Sequence, residues 1–399
     1  MHKHPALIGL MFTAVWLATS APASAQTVKL GVVTTLTGSN SLLGEHMDKA
    51  IRLYMEMHKS DLPPGVNVQV ITRDDGGPSP DKSKQLAQEL IVREKIDILT
   101  GIVWSPNGAA IAPLATEAKI PTVLMQAGAS ANVTMSPYFV RFSFGTWSAP
   151  YYMGAYAAKH YKKVYIAVSD YAPGADSEAA FEKAFKEGNS DGTIVGRVRM
   201  PLATADFVPF LQRARDANPE AIFVFVPAGK LGASIMKAFG DLGLDKAGIK
   251  LIGTGDITAD EELPTMGNTP LGVITVSHYS GNGDRPANKA FYAAWKKAYG
   301  ENSIPSFTAV HAWDAMGGIY HAIREQKGKL DPDRTIELLR NYKTDDSPRG
   351  PIAIDPRTRD IRQNEYLREV KSVDGKLVNV ELEVVGKMVV DPWVEANTK

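Results

Sequence analysis

From Gln26 onward, the chain alternates short β-branched runs with segments in which apolar positions recur at helical spacing. Val28, Leu30 and Val32 alternate with other residues, which predicts a strand. In the next segment apolar positions recur every three to four residues, which predicts a helix with one apolar face. These positions are Leu43, Met47, Ala50, Ile51, Tyr54 and His58. The unit then repeats, with predicted strands at 66–72, 97–100 and 121–125 and predicted helices at 81–93 and 107–118.

A second series of the same kind follows. It predicts strands at 164–168, 193–199, 221–226, 250–253 and 272–276, with a helix at 177–187. Strands that alternate with helices predict an α/β fold in which each parallel sheet is flanked by helices, here in two lobes. No low-complexity linker separates the halves, so 141–150 is predicted to be an extended crossing segment that allows closure.

Residues 1–25 have the composition of an export signal. His2, Lys3 and His4 form a weakly basic start, an apolar run covers 6–18, and small residues at 23–25 form a cleavage site. The run is too short to span a membrane, and no later stretch approaches the length required. We therefore expect cleavage before Gln26 and a location in the periplasm.

Composition narrows the class of partner. The chain has 44 Lys+Arg against 44 Asp+Glu, so neither nucleic acid nor an anionic membrane surface is a favoured partner. It contains no cysteine, which excludes thiol catalysis, thiolate metal sites and a bacterial lipid anchor. Of its 399 residues, the 374 that remain after the predicted signal at 1–25 are too many for one ordinary core and fit two lobes.

Catalytic motifs are absent from the sequence. There is no nucleophile elbow, no phosphate loop and no histidine spacing typical of a zinc site. The segment 253–258 begins like a dinucleotide fingerprint but lacks its third glycine. His311 and His321 are interpreted as helix-surface or core residues. We expect a protein that is not an enzyme and has no metal or cofactor.

Four motifs in order carry a resemblance to a known family. They are Thr37-Gly38-Ser39-Asn40-Ser41-Leu42-Leu43-Gly44, Arg73-Asp74-Asp75 with Pro80-Asp81, Gly101-Ile102-Val103-Trp104-Ser105, and Ile120-Pro121-Thr122-Val123 leading to Gly128-Ala129-Ser130. Together they resemble the branched-chain amino acid (Leu/Ile/Val) binding family, the type I periplasmic binding proteins of ABC importers. The resemblance covers essentially the whole chain after the signal.

The resemblance implies two lobes joined by three crossing segments, with solute bound in the cleft between them. The N-terminal lobe would take 27–146 and 278–350, and the C-terminal lobe 147–277 and 351–399. The implied partners are a small amino acid or carboxylate and an inner-membrane permease with its ATPase. We expect a monomer.

The resemblance also implies the binding residues. In the first lobe Ser105, Gly128, Ala129 and Ser130 would bind the carboxylate of the ligand, since hydroxyls and free backbone N–H groups at strand ends bind anions. In the second lobe Asp256 would pair with an ammonium group. Helix capping is an alternative role for Ser105 and for Asp256.

The aromatic positions depart from the family pattern. Pro173 stands where amino-acid binders usually have a tyrosine. Either Tyr171 makes the ligand contact of that tyrosine, or the pocket is reshaped for another solute. Trp104, Trp147 and Tyr279 add rings that either face the cleft or pack in a core.

Four functions remain open at this point. The leading hypothesis is an amino-acid receptor for transport, and its close variant binds aromatic or other organic acids that lack an amine. A sensory receptor would use the same fold with another partner. An enzyme is the least favoured, because catalytic arrangements are absent. A transcription regulator is excluded by the export signal, which occupies the place of a DNA-binding domain.

Overall fold

The computed structural model describes residues 26–204 and 206–398. The predicted signal at 1–25 lies outside the described residues. The first lobe contains β1 (Gln26–Thr34), β2 (Val66–Asp74), β3 (Ile98–Gly101), β4 (Thr122–Leu124) and β5 (Phe139–Arg141), with α1 (Ser41–Met57), α2 (Pro80–Glu89) and α3 (Ser105–Glu117) between them. A π-helical turn at Leu90–Glu94 continues α2, and short 3-10 helices lie at Lys59–Asp61 and Ser130–Thr134.

The first sheet is parallel, in the order β2-β1-β3-β4-β5. Val28, Leu30 and Val32 of β1 are fully buried on one face and Val33 packs in a second cluster on the other, so helices cover both faces. The apolar face predicted for α1 is confirmed as buried, except that His58 lies just after the helix end.

The same lobe is completed by three later helices. These are α8 (Pro286–Tyr299), α9 (Phe307–Glu325) and α10 (Pro332–Arg340). The helix α9 packs along α1, and almost all of its length is buried. Trp295 of α8 is fully buried in the same cluster.

The second lobe contains a larger, mixed sheet. Its parallel part, β7-β6-β8-β9-β10, consists of β6 (Lys163–Ser169), β7 (Thr193–Met200), β8 (Ala221–Phe225), β9 (Lys250–Thr254) and β10 (Ile274–Ser277). The helices are α4 (Ser148–His160), α5 (Ala172–Gly188), α6 (Val208–Asp216) and α7 (Lys230–Asp241), with short 3-10 helices at Gly255–Thr258 and Leu263–Thr265. Strands and helices thus confirm the predicted α/β fold with parallel sheets flanked by helices.

An antiparallel extension of this sheet goes beyond the sequence-based prediction. It consists of β11 (Lys343–Thr344), β12 (Ile352–Ile354), β13 (Ile361–Val373) and β14 (Lys376–Val389), followed by α11 (Pro392–Asn397). A two-residue turn joins β13 to β14, where Asp374 and Gly375 both have positive φ. An Asp-Gly pair favours this turn because both positions require that conformation.

The chain contacts the first lobe again after the predicted third crossing at 350–351 and once more near its C-terminus. Ile352 and Ile361 pack in the core cluster of the first sheet, and β13 then leads into the second sheet. After β14, Val394 packs against Val133 of the first lobe. The predicted boundaries of the two lobes stay predictions.

Buried arginines tie the crossing segments to their neighbours. Arg141 forms an ion pair with Asp360 at 2.6 Å, and both side chains are fully buried. Arg349 pairs with Asp314 at 2.8 Å and also donates to the backbone carbonyls of residues 142 and 143 in the first crossing. Arg368 donates to the backbone carbonyl of residue 279, next to the predicted second crossing at 277–278. These contacts fix the base of the cleft.

Candidate ligand-binding cleft

Two adjacent cavities lie between the lobes, at the carboxyl ends of the strands of both sheets. We call them the Ser105 cavity and the His278 cavity, after one residue in the wall of each. Phe144, Thr146 and Phe225, together with Asp256, line both cavities. Their volumes are about 30 and 20 Å³, enough for about one or two water molecules each, so the lobes stand close together.

Ser105 lies at the start of α3, directly after β3, and lines the cavity named after it. Its hydroxyl oxygen accepts a hydrogen bond from the backbone N–H of Ala129 at 2.9 Å, while Trp104 holds the N-cap position. The hydroxyl proton of Ser105 is therefore free to be donated elsewhere. The alternative capping role is not seen.

Trp104 and Gly128 also line the Ser105 cavity, and Trp104 packs in the core cluster of the first lobe as well. The indole N–H of Trp104 donates to the hydroxyl of Thr35 at 2.9 Å, which orients the ring. A Cβ at Gly128 would lie 2.9 Å from the ring of Phe144. Glycine thus allows this ring to pack directly on the backbone that faces the cavity.

Ala129 and Ser130 belong to the same loop but are absent from the walls of both cavities. The hydroxyl of Ser130 donates to Asp391 at 2.6 Å, and its backbone N–H donates to Asp176 at 2.9 Å. Asp176 belongs to α5 of the second lobe and also accepts from the hydroxyl of Thr146. The predicted anion-binding N–H group of Ser130 therefore contacts a carboxylate of this chain.

Asp256 follows β9 in a 3-10 turn and lines both cavities. It accepts a hydrogen bond from the hydroxyl of Thr254 at 2.7 Å and is 9% exposed. Burial raises the pKa of its carboxyl to about 6, against smaller opposing effects of Thr254 and Arg368. Among the described residues that line the two cavities, none is a lysine or an arginine.

Tyr171 precedes α5 and lines the Ser105 cavity together with Pro173. Its ring stacks on Phe225, with centroids 6.2 Å apart and planes inclined by 17°. Burial, and then the charge of Asp256, raise the pKa of the Tyr171 hydroxyl well above its ordinary value. The phenol is a neutral donor at physiological pH.

Several wall residues were missed by the sequence analysis. Phe144 stacks face to face on His278, with centroids 5.3 Å apart, and Phe307 adds a third ring to the His278 cavity. Gln126 lines the Ser105 cavity. Phe144 and His278 lie in crossing segments, which have no periodic pattern that could have signalled them.

Two other predicted rings lie elsewhere. Tyr279 is buried in the first-lobe core, where its hydroxyl donates to Asn288 at 2.9 Å. Trp147 is not part of the wall of either cavity.

Within the described ranges, no helix is long and apolar enough to cross a bilayer.

Comparison with known proteins identifies the family. A family model described as periplasmic binding protein matches residues 27–376. A curated relative from Brucella melitensis, "Leu/Ile/Val-binding protein homolog 6", is 39% identical over 391 residues, which are 98% of this chain and 99% of the relative.

Two solved structures are similar over nearly their full length. One is a solute binding protein of an ABC transporter from Rhodopseudomonas palustris BisB5 in complex with 3,4-dihydroxybenzoic acid. It is 45% identical with a TM-score of 0.87, over 92% of this chain and 99% of that chain. The other, from R. palustris HaA2 in complex with p-hydroxybenzoic acid, is 42% identical with a TM-score of 0.89, over 93% and 100%.

The matched residues cover most of both lobes, and the fold agrees with that of the similar structures. This chain belongs to the periplasmic binding protein family, and its fold is that of the type I solute-binding proteins of ABC transporters.

Proposed function

We propose that this protein binds an aromatic carboxylate in the cleft and delivers it to an ABC permease. The observation that carries the proposal is the wall itself, in which aromatic rings from both lobes surround the two cavities. Those rings are Trp104, Phe144, Tyr171, Phe225 and Phe307. A flat aromatic ligand gains both burial and ring-to-ring contact in such a site. The bound aromatic acids of the similar R. palustris proteins support the same class of ligand.

The polar groups support a carboxylate at the Ser105 end of the cleft. The Ser105 hydroxyl has a proton to donate, and the backbone at Gly128 faces the cavity beside it. Such groups bind an anion without a full positive charge. The ring of the ligand would then lie between Phe144 and Phe225, which line both cavities.

Asp256 favours a second candidate, an amino acid. It is an acid in a cleft wall that, in the described part of the chain, contains no lysine or arginine, so an ammonium group would be a suitable partner. The name of the Brucella relative points the same way. If the ligand is an aromatic acid without an amine, Asp256 has no ammonium partner. It then either accepts a hydrogen bond as a carboxylate or becomes protonated, and its raised pKa makes protonation accessible.

A thermal-shift and calorimetric screen tests the two candidates. We expect benzoate and its hydroxylated derivatives to raise the melting temperature, because a ligand that binds only the folded state stabilises it. Leucine, isoleucine, valine and phenylalanine should produce no shift. Shifts with these amino acids alone would refute the aromatic assignment and favour the pairing of Asp256 with an ammonium group.

Asp256→Asn separates the candidates in a second way. An amino acid should lose most of its affinity, because its ammonium group would lose its charged partner. An acid without an amine should lose little or gain. Equal losses for both classes would instead indicate a structural role for Asp256.

Export and transport make separate tests. We propose that cleavage before Gln26 releases the protein into the periplasm, which N-terminal sequencing of the periplasmic fraction would check. Loss of aromatic-acid uptake in a deletion strain would support the transport role. Intact uptake with a lost chemotactic or transcriptional response would favour a sensory receptor.

A further inference from the structure

A chain of three buried polar side chains extends from one cavity to the other. Gln126 lines the Ser105 cavity, and its Oε1 lies 3.0 Å from Nδ1 of His311. Nε2 of His311 lies 2.6 Å from Nε2 of His278, which lines the second cavity. His311 is fully buried and His278 is 6% exposed. Neither histidine is needed for the carboxylate contacts described above.

The hydrogen-bond partners of His311 determine which of its nitrogens carries the proton. Its Nε2 faces His278, so Nδ1 is the atom that can contact the carbonyl oxygen of Gln126. The Oε1 atom of Gln126 can only accept a hydrogen bond, so Nδ1 of His311, 3.0 Å away, is the donor and carries the proton. In the neutral ring Nε2 is then an acceptor.

His278 must therefore donate from its own Nε2. Burial, followed by the charges of Arg349 and Arg368, lowers the pKa of His278 well below its ordinary value, and burial, His278 and Arg349 lower that of His311. Both rings are neutral, and Nδ1 of His278 is left as a bare acceptor. Within the part of the chain that the structure describes, this atom has no hydrogen-bond partner.

His278 lines its cavity and carries a bare imidazole nitrogen, and this acceptor matches one ligand feature in particular. A phenolic hydroxyl donates strongly, is uncharged at neutral pH and lies in the plane of the ring, whereas an unsubstituted ring edge would leave the buried nitrogen unpaired. A site with an unpaired buried polar group discriminates against the analogue that lacks the matching group. Face-to-face stacking on Phe144 fixes the plane in which His278 can accept.

We propose that His278 recognises a hydroxyl group on the ring of the bound aromatic acid, and that His311 and Gln126 are positioning residues that hold His278 in its accepting tautomer. The inference rests on the proposed function, since it takes the ligand to be an aromatic carboxylate. It assigns the His278 cavity to the hydroxylated end of the ligand and the Ser105 cavity to the carboxylate. The ligand class becomes hydroxybenzoates rather than benzoate.

Calorimetry with benzoate, 3-hydroxybenzoate and 4-hydroxybenzoate tests the assignment on wild type, His278→Phe and His278→Asn. We expect wild type to prefer at least one hydroxylated acid over benzoate by about tenfold, the effect of one buried hydrogen bond. Phenylalanine keeps a flat ring without an acceptor and should abolish the preference. Asparagine provides an amide near the former position of Nδ1 and should retain part of it.

The matched control is His321→Phe. His321 lies on the same helix as His311, contacts Tyr342 and is absent from both cavity walls. This substitution should leave the affinity ratio unchanged. Nitrogen-15 spectra of labelled histidine provide a readout that does not depend on any variant, and they should show Nδ1 of His278 without a proton in the free protein.

The outcomes separate this inference from the proposed function. If wild type binds none of the aromatic acids, the proposed function fails. Binding of benzoate and both hydroxybenzoates with equal affinity would overturn the role of His278 alone. So would an unchanged preference in His278→Phe, or a protonated Nδ1 in the nitrogen-15 spectrum.

Discussion

Asp256→Asn should stabilise the ligand-free protein at neutral pH. The carboxylate is 9% exposed, accepts a hydrogen bond from the hydroxyl of Thr254 and is also stabilised by the backbone N–H groups of residues 228 and 256. Asparagine has nearly the same shape and retains an acceptor oxygen for that hydroxyl, so the substitution removes chiefly the ionisation. A residue that costs stability in the free protein is typical of a functional site.

The magnitude follows from the shifted pKa of Asp256. Burial raises it from 3.8 to about 6, so the folded chain holds the proton more tightly than the unfolded chain does. The free energy of unfolding is therefore highest at low pH and falls as the pH rises from about the unfolded to about the folded pKa. Above about pH 7 the full difference costs about 3 kcal/mol, and at about pH 4.5 it costs about 1 kcal/mol.

Urea unfolding of both proteins at about pH 7.5 and about pH 4.5 measures this effect. We expect the variant to be more stable by about 3 kcal/mol at the higher pH and by about 1 kcal/mol at the lower one. Asp191→Asn, in the exposed turn after α5, is the control and should change stability by less than about 0.5 kcal/mol. An equal gain at both pH values, or no gain, would refute the burial argument.

Three further substitutions test contacts between segments that are distant in sequence. Asn40→Ala removes a 3.2 Å hydrogen bond across the closed cleft, so calorimetry should show a roughly threefold loss of ligand affinity, and unchanged affinity would contradict it. Arg141→Leu leaves Asp360 buried without its partner and should cost about 3–5 kcal/mol in urea unfolding, whereas a double variant with Asp360→Leu should recover much of the loss. Ser130→Ala removes the donor to Asp391 and should cost about 1–2 kcal/mol of stability; a loss of ligand affinity at unchanged stability would instead favour the ligand contact that the sequence predicts.

Local patterns were sufficient for most of the helices and strands. The period-two pattern of β1 and the helical stripe of α1 depend on neighbours within a few residues, and both are borne out by burial. The long hairpin of β13 and β14 was not anticipated. Its strands carry many polar residues, and polar members such as Arg368 are buried only because distant partners surround them.

The binding site shows the same difference between local sequence signals and contacts with residues that are distant in sequence. The family resemblance implied Ser105, Gly128 and Asp256 as binding residues. They line the cavities because they follow strands, and the carboxyl ends of parallel strands are where α/β folds place ligands. Ser130 follows a strand too, but its backbone N–H and its hydroxyl donate hydrogen bonds to Asp176 and Asp391, which are distant in sequence. No local signal reveals that competition.

By itself the sequence determined the α/β class, the alternation of strands and helices, and the strand ends that face the cleft, because these depend on side-chain periodicity within short segments. Only the tertiary structure decided which rings form the cleft wall and that His278 forms a hydrogen bond with His311. Those two residues are 33 positions apart, and the 2.6 Å contact joins the residue directly after β10 to a residue in α9. Contacts of that kind depend on packing between elements that are distant in sequence, which no short stretch of sequence encodes.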